Sequence, residues 1–232
     1  MHDRRTVTVL GCVLFATLLA TGIRAQTIES PYRFVDTKQS GSLYASYLLT
    51  GKGSLDLGPE AGLRFGARYD INVSGPFNLE ADVSYFSQTR AVFDTIPGDT
   101  SRMKIGDSDF SILVIGAGIR FNLTGARTYR RIQPYVLFGA GVALDLSNPS
   151  AEDEALANNI RFDFGTAFLG MFGGGTEIML GERYSLRIDA RSTLWKLQTP
   201  EAFQLKGDQA LLLPADEWAQ NLGLSAGLVF RF

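Results

Sequence analysis

The last fifteen residues of the chain, Trp218–Phe232 (WAQNLGLSAGLVFRF), decide its fold. From residue 222 onwards every even-numbered residue is apolar, whereas the odd-numbered ones are small or polar except for Val229. Successive side chains of a β-strand point to opposite faces, so this alternation predicts a strand with one apolar face and one small or polar face. The same period of two recurs from about residue 40 and predicts an all-β protein.

Eight segments share this alternation, and short connections between them alternate with long ones. The segments lie near 41–50, 58–70, 77–91, 108–122, 132–146, 163–180, 184–197 and 218–232. The connections at 71–76, 124–131 and 181–183 are tight, and those at 92–107, 147–162 and 198–217 are long and polar. Tight turns at one end and long loops at the other are typical of an eight-stranded antiparallel up-and-down β-barrel.

The N-terminus has the order of a secretory signal peptide. Arg4 and Arg5 precede an apolar run at 7–20, and the small Ala25 stands before Gln26. We therefore expect residues 1–25 to be a cleaved signal peptide, residues 26–40 a periplasmic lead-in and residues 41–232 the barrel. An uncleaved anchor is the alternative, but the apolar run is shorter than the roughly 20 residues that span a bilayer. Whether 27–39 adds a further strand stays open.

Periodicity alone does not say which face of the barrel points outwards. A soluble lipocalin-type barrel has its apolar face inside, whereas a membrane barrel exposes that face to lipid. The polar face here is poor in lysine and carries charges of both signs, which must pair if a narrow barrel closes around them. These charges form the predicted lumen network: Arg64, Arg68, Glu80, Asp82, Arg120, Glu177, Arg187, Asp189 and Arg191.

Aromatic residues concentrate at the two ends of the predicted strands, as in the aromatic girdles of membrane barrels. Those near the tight turns are Tyr69, Phe77, Phe121, Tyr184, Phe230 and Phe232. Those towards the long loops are Tyr85, Phe164 and Trp218. Together with the mixed charges, they favour a transmembrane β-barrel.

The C-terminal strand resembles the assembly signal of bacterial outer-membrane barrels, with Ser225, Gly227, Phe230 and the terminal Phe232 at the matching positions. The chain as a whole resembles the small eight-stranded outer-membrane barrels related to OmpA and OmpX. In that superfamily a lumen-facing Glu and a lumen-facing Arg lie on the two arms of the hairpin before the last loop, and Glu177 and Arg187 match them. The chain departs from OmpA because it ends at the barrel, which puts a cell-wall tether in doubt.

Residue types limit the chemistry. The only cysteine, Cys12, and the only histidine, His2, lie in the predicted signal peptide, which leaves no thiol nucleophile, histidine base or usual zinc ligand. We expect no enzyme activity, metal or cofactor. Glu80 and Asp82 offer a paired-acid alternative, although counterions for lumen arginines are the preferred interpretation. The acidic run at 152–154 is interpreted as a solvated loop, with a divalent-cation site as the alternative.

These patterns predict an integral protein of the bacterial outer membrane with a structural or surface-interaction role, its lumen plugged by the charge network. A narrow gated channel or small-solute-binding barrel is the alternative, and a soluble periplasmic lipocalin-like binder is the third. The expected partners are outer-membrane lipid, lipopolysaccharide and, during biogenesis, the barrel assembly machinery. We expect a monomer, and the formal net charge of −2 gives no reason to expect nucleic acid as a partner.

Overall fold

The computed structural model describes residues 30–35, 38–95, 102–201 and 214–232. The described residues of the compact unit Tyr32–Phe232 form ten strands and one short helix. The strands are β1 (Tyr32–Phe34), β2 (Gln39–Leu49), β3 (Gly62–Ser74), β4 (Phe77–Thr95), β5 (Arg102–Asn122), β6 (Arg127–Tyr129), β7 (Ile132–Asp145), β8 (Thr166–Met179), β9 (Tyr184–Gln198) and β10 (Asp216–Arg231). The helix, α1, is Ala151–Ala155. The predicted signal peptide lies outside the described residues.

Eight of the strands close into an antiparallel barrel, which confirms the predicted fold. The order around the barrel is β2, β3, β4, β5, β7, β8, β9 and β10, and β10 pairs with β2 to close it. In the closing ladder Ala226 stands opposite Ala45. Within the described part of the chain, no helix is long and apolar enough to cross a membrane.

The two remaining strands form a small annex at the end of the tight turns. β1 pairs with β6, so Tyr32 stands opposite Tyr129 and their rings lie 5.4 Å apart. The part of the lead-in at Tyr32–Phe34 is therefore a short strand of its own, and β2 begins at Gln39.

The outer surface of the barrel is apolar. Leu43 and Phe168 expose 72% and 74% of their surface, and similar side chains surround the wall. The six predicted tight-turn aromatics are all exposed, and several touch across neighbouring strands, as Phe77 and Phe121 do at 5.2 Å. At the other end Tyr85 and Trp218 are exposed, but Phe164 is buried inside the barrel. The prediction for Phe164 was wrong because β8 begins only at Thr166 and the chain before it folds inwards.

Two of the predicted long loops differ from expectation. Residues 92–107 are mostly strand, because the β4–β5 ladder continues to Thr95 and Arg102 and so rises well beyond the ends of β2 and β3. The loop after β7 contains α1 and extends to Gly165 rather than ending at 162. Of the loop predicted at 198–217, residues 202–213 lie outside the described residues, and β10 begins at Asp216.

The barrel interior divides into an ionic half and an apolar half. Along β9 the inward residues run from Arg187, Asp189 and Arg191 near the tight turns to Trp195 and Leu197 near the long loops. The apolar half is one connected cluster: Leu48, Phe86, Phe110, Ile112, Val114, Leu137, Ala143, Phe162, Phe164, Ala167, Leu169, Met171, Trp195, Leu197 and Ala219. The sequence did not predict it, because the polar face was expected to line the whole lumen.

Candidate functional site: the barrel lumen

The ionic half of the lumen is built from strands that each place inward side chains two residues apart. On β9 this spacing puts Arg187, Asp189 and Arg191 in one inward row, and on β4 it does the same for Glu80 and Asp82. Gly173 and Gly175 on β8 leave room for the β9 row, because a Cβ atom at Gly175 would stand 2.5 Å from Cβ of Asp189.

Glu80 and Asp70 bind the two ends of the β9 row. The Arg187 guanidinium donates to Asp70 at 2.7 Å and to Glu80 at 3.1 Å. Arg191 donates to Glu80 at 2.6 Å and to Asp189 at 2.9 Å. All of these side chains are at least nine-tenths buried, so each charge is desolvated and its partner must compensate it.

Asp189 and Asp82 hold the centre of the network through Arg68. The Arg68 guanidinium lies 2.7 Å from Asp189 and 3.1 Å from Asp82. Hydroxyl groups donate further hydrogen bonds to these carboxylates: Tyr44 donates to Asp82 at 2.8 Å, and Ser225 donates to Asp189 at 2.7 Å. The Arg68 guanidinium also lies 3.7 Å from the centre of the Tyr44 ring, a cation–π distance.

Glu177 connects three arginines near the tight-turn end. Arg120 donates to it at 3.3 Å, Arg187 lies 3.5 Å away, and Arg231 is also paired with it. Arg187 is the residue directly opposite Glu177 in the β8–β9 ladder. Its shorter ion pairs, however, are with Asp70 and Glu80.

Eight of the nine predicted network residues are ion-paired in this way. Arg64 is the exception, because no carboxylate among the described residues lies within 4.0 Å of it. Glu80 and Asp82 each face arginines, in keeping with the counterion interpretation.

Sequence reasoning missed two members of the network, Asp70 and Arg231. Asp70 lies on the same face of its strand as Arg64 and Arg68, but the turn predicted at 71–76 begins at the next residue, so the pattern places Asp70 at the end of the strand. Arg231 shares the polar face of β10 with Ser225, and its ion pair with Glu177 makes it a member of the network. In both cases the period of two already indicated the inward face.

The predicted assembly-signal residues occupy different sides of β10. Ser225 faces the lumen and Gly227 lies against β2, where a Cβ atom would stand 2.6 Å from the carbonyl oxygen of Leu43. Phe230 and Phe232 are exposed, and their rings lie 5.9 Å apart at the end of the barrel. Recognition of these residues during assembly stays a prediction.

Helix α1 folds the loop after β7 against the extended β4–β5 hairpin. Ser150 caps the helix by accepting a hydrogen bond from the Asp153 amide, and the buried Asp153 carboxylate lies 2.6 Å from Arg90 of β4. Burial acts to raise the pKa of Asp153, but the Ser108 hydrogen bond and the charge of Arg90 outweigh it and lower that pKa. Asp153 is therefore not the solvated loop residue that the sequence predicted.

The described residues contain no group of three acidic, cysteine or histidine side chains that could hold a metal ion. The acidic residues of the loop diverge: Asp153 points inwards to Arg90, whereas Glu152 and Glu154 are exposed.

Comparison with known proteins gives the same architecture. The family model described as outer membrane protein beta-barrel domain matches residues 13–232. Solved structures of similar fold include OprG from Pseudomonas aeruginosa, with a TM-score of 0.54 and 10% identity over 88% of this chain and 99% of that chain. Neisserial surface protein A (NspA) has a TM-score of 0.52 and 14% identity over 84% of this chain and 97% of that chain.

A search of curated protein sequences found no match to the chain. At these identities the likeness to OprG and NspA concerns the fold alone. The family match covers nearly the whole chain and agrees with an apolar outer wall, which excludes the soluble lipocalin-like alternative. The chain is a member of the outer membrane protein beta-barrel domain family and a protein of the Gram-negative outer membrane.

Proposed function

We propose that this protein is a structural or surface-interaction component of the outer membrane without enzymatic activity. The observation that carries the proposal is the double closure of its lumen. A solute entering from the tight-turn end meets the ion-paired plug, and beyond it the apolar cluster around Trp195 and Phe164. Eight strands leave an interior that side chains can fill, so two packed layers in series oppose passage of ions or water.

The end of the barrel with the long loops supports a surface role. The β4–β5 hairpin rises beyond the other strands and presents Met103 and Ile105, of which Met103 is 68% exposed. The Arg90–Asp153 ion pair holds the neighbouring loop against this hairpin. The described strands of this hairpin offer a fixed shape for contacts outside the cell, because the entropy of ordering them is lost on folding and not on binding a partner.

The proposed partners follow from the surface of the barrel. The apolar wall contacts lipid, including lipopolysaccharide in the outer leaflet, and the C-terminal strand engages the assembly machinery during insertion. One closed barrel leaves no unpaired edge among its eight strands, which supports a monomer.

Conductance in planar bilayers tests the closure of the lumen. We expect the purified protein to show no steady conductance, and Glu177→Gln to remain silent as well, because the apolar layer does not depend on that carboxylate. Steady conductance of the wild type, or steps that appear only in Glu177→Gln, would instead favour the narrow gated channel.

Protease treatment of intact cells tests the surface role. Trypsin should cut within the β4–β5 hairpin at Arg102 or Lys104 while the barrel stays intact, because the hairpin lies beyond the other strands. Replacing Lys104 and Arg102 by glutamine is the matched control and should remove those fragments. A hairpin that is protected in intact cells but cut in lysed cells would place it on the periplasmic side and overturn the proposal.

A further inference from the structure

The buried charges of the lumen do not sum to zero. Six buried arginines belong to the plug: Arg64, Arg68, Arg120, Arg187, Arg191 and Arg231. Five buried carboxylates oppose them: Asp70, Glu80, Asp82, Glu177 and Asp189. The remaining buried pair, Arg90 and Asp153, balances itself. Among the described residues the lumen therefore holds one positive charge in excess.

The excess charge lies on Arg64. Each of the other five arginines has a carboxylate within 4.0 Å, whereas Arg64 has none among the described residues. Only 5% of Arg64 is exposed, and its Nε–H has no hydrogen-bond partner. A guanidinium stays protonated in proteins, so Arg64 cannot escape the desolvation cost by losing its proton.

The Tyr44 ring compensates Arg64 only weakly. The Arg64 guanidinium lies 5.9 Å from the ring centre, at the outer limit of a cation–π contact, and Arg68 already faces that ring at 3.7 Å. The Tyr44 ring is thus shared by Arg64 and Arg68, and it does not neutralise the charge of either guanidinium.

A second unpartnered donor lies beside Arg64. Ser46 of β2 is the register partner of Arg64, is 2% exposed, and its Oγ has no hydrogen-bond partner. Both groups converge on Gly223 of β10, where a Cβ atom would stand 3.1 Å from Ser46 Oγ and 3.5 Å from Arg64 Nη2. Leu48 Cδ1 would also lie 3.5 Å from that Cβ atom, so even a methyl group at Gly223 would touch both donors.

We propose that Arg64, Ser46 and Gly223 form a binding site for a small monovalent anion such as chloride. The guanidinium and the hydroxyl each donate a hydrogen bond, and one negative charge neutralises the excess positive charge of the lumen. The site takes only a small ion because both donors are buried and converge on the backbone of Gly223, which places no side chain between them. A water molecule satisfies the donors but leaves the charge uncompensated, so anion binding stabilises the barrel beyond hydration.

Halide-dependent unfolding in detergent tests the site. A ligand that binds only the folded state raises stability in proportion to log(1 + [L]/Kd). The unfolding midpoint of the wild type should rise as sodium chloride or bromide replaces sodium gluconate at constant ionic strength. In Arg64→Met, which keeps an unbranched side chain without charge, the midpoint should not respond. An equal response of Arg64→Met and the wild type would overturn the proposal.

If Arg64→Met does not fold, two further variants that retain Arg64 can still test the halide response. Gly223→Ala places a methyl group against both donors while retaining Arg64, and it should also abolish the halide response. Ser42→Ala removes another buried hydroxyl without a partner, two inward positions along β2, and should leave the response intact. Diffraction from bromide-soaked crystals should show an anomalous peak within hydrogen-bond distance of Arg64. Density without anomalous signal there would identify water and refute the anion.

Discussion

At the scale of single residues, Glu177 shows how strongly the plug depends on pairing. Its carboxylate serves Arg120 of β5, Arg187 of β9 and Arg231 of β10, and it also accepts a hydrogen bond from Ser185. Four strands are thereby tied together around one buried charge. Removing that charge leaves three arginines close together with less negative charge to offset theirs. This raises the free energy of the folded state and leaves that of the unfolded state unchanged.

We expect Glu177→Gln to lower the free energy of unfolding by about 3–5 kcal/mol, the usual cost of removing one partner of a buried ion pair. Glutamine keeps the shape of the side chain, so packing loss contributes little. The measurement is a denaturant titration of the barrel in detergent, followed by the gel shift between folded and unfolded forms. Glu182→Gln, in the exposed turn after β8, is the control and should cost nothing measurable.

The sequence predicted Glu177 and the other network residues because charges of both signs that point into a narrow barrel are buried and must form ion pairs. It did not predict which arginine pairs with which carboxylate. Arg68 pairs with Asp189, which lies 121 residues later in the chain, and no local sequence pattern encodes a contact of that separation. Nor did it show that Arg64 lacks a carboxylate. That excess appears only when the three-dimensional neighbours of each charge are counted.

At the scale of elements, α1 depends on the contacts that Asp153 makes with the rest of the molecule. A helix of five residues is too short to be stable alone, so the Arg90–Asp153 pair and the Ser150 cap must hold the loop in place. Arg161 adds to this by donating to the main-chain oxygen of Asp153 at 2.9 Å. The loop is therefore expected to respond to the charge state of one carboxylate.

Acid should release this loop before it unfolds the barrel. Because the pKa of Asp153 is lowered in the folded state, its contribution to stability is complete above the unfolded value of about 3.9 and is lost as the pH falls through the folded pKa. The protection of the amides at 150–156 against hydrogen exchange, taken relative to the intrinsic exchange rate at each pH, should fall below about pH 4. Asp153→Asn should give the same loss of protection at neutral pH, whereas Glu154→Gln, on the exposed face of α1, should not. A loop equally protected in both variants would contradict the role assigned to the Arg90–Asp153 ion pair.

The elements also show where alternation stops being informative. On β10 one face is apolar and the other polar, and the predicted strand agrees with the observed one to within two residues. At 112–115 of β5 the sequence reads Ile-Leu-Val-Ile, apolar on both faces, so the pattern gave no sign that Ile112 and Val114 point into the lumen. The apolar half of the interior was missed for this reason.

At the scale of the whole molecule, the barrel is apolar outside along its full height and apolar inside along only half of it. The outer wall faces lipid, whereas the inner cluster is shielded from it by the wall itself. A soluble barrel with the same inner cluster has a polar outer wall, so the outer face rather than the interior distinguishes the two architectures. An experiment on the outer face is therefore the sharpest test of membrane insertion.

Leu224→Arg introduces a charge on the lipid face near mid-height of β10, where Leu224 stands opposite Tyr47 and Ala190. In phospholipid vesicles the substitution should lower the free energy of unfolding by about 2–4 kcal/mol, because arginine at the bilayer midplane loses its hydration. Leu180→Arg is the matched control, since Leu180 is similarly exposed but lies in the turn after β8, where the expected cost is about 0–1 kcal/mol. The measurement is reversible guanidinium unfolding of both variants in the same vesicles. Equal costs at the two depths would mean that Leu224 does not face hydrocarbon.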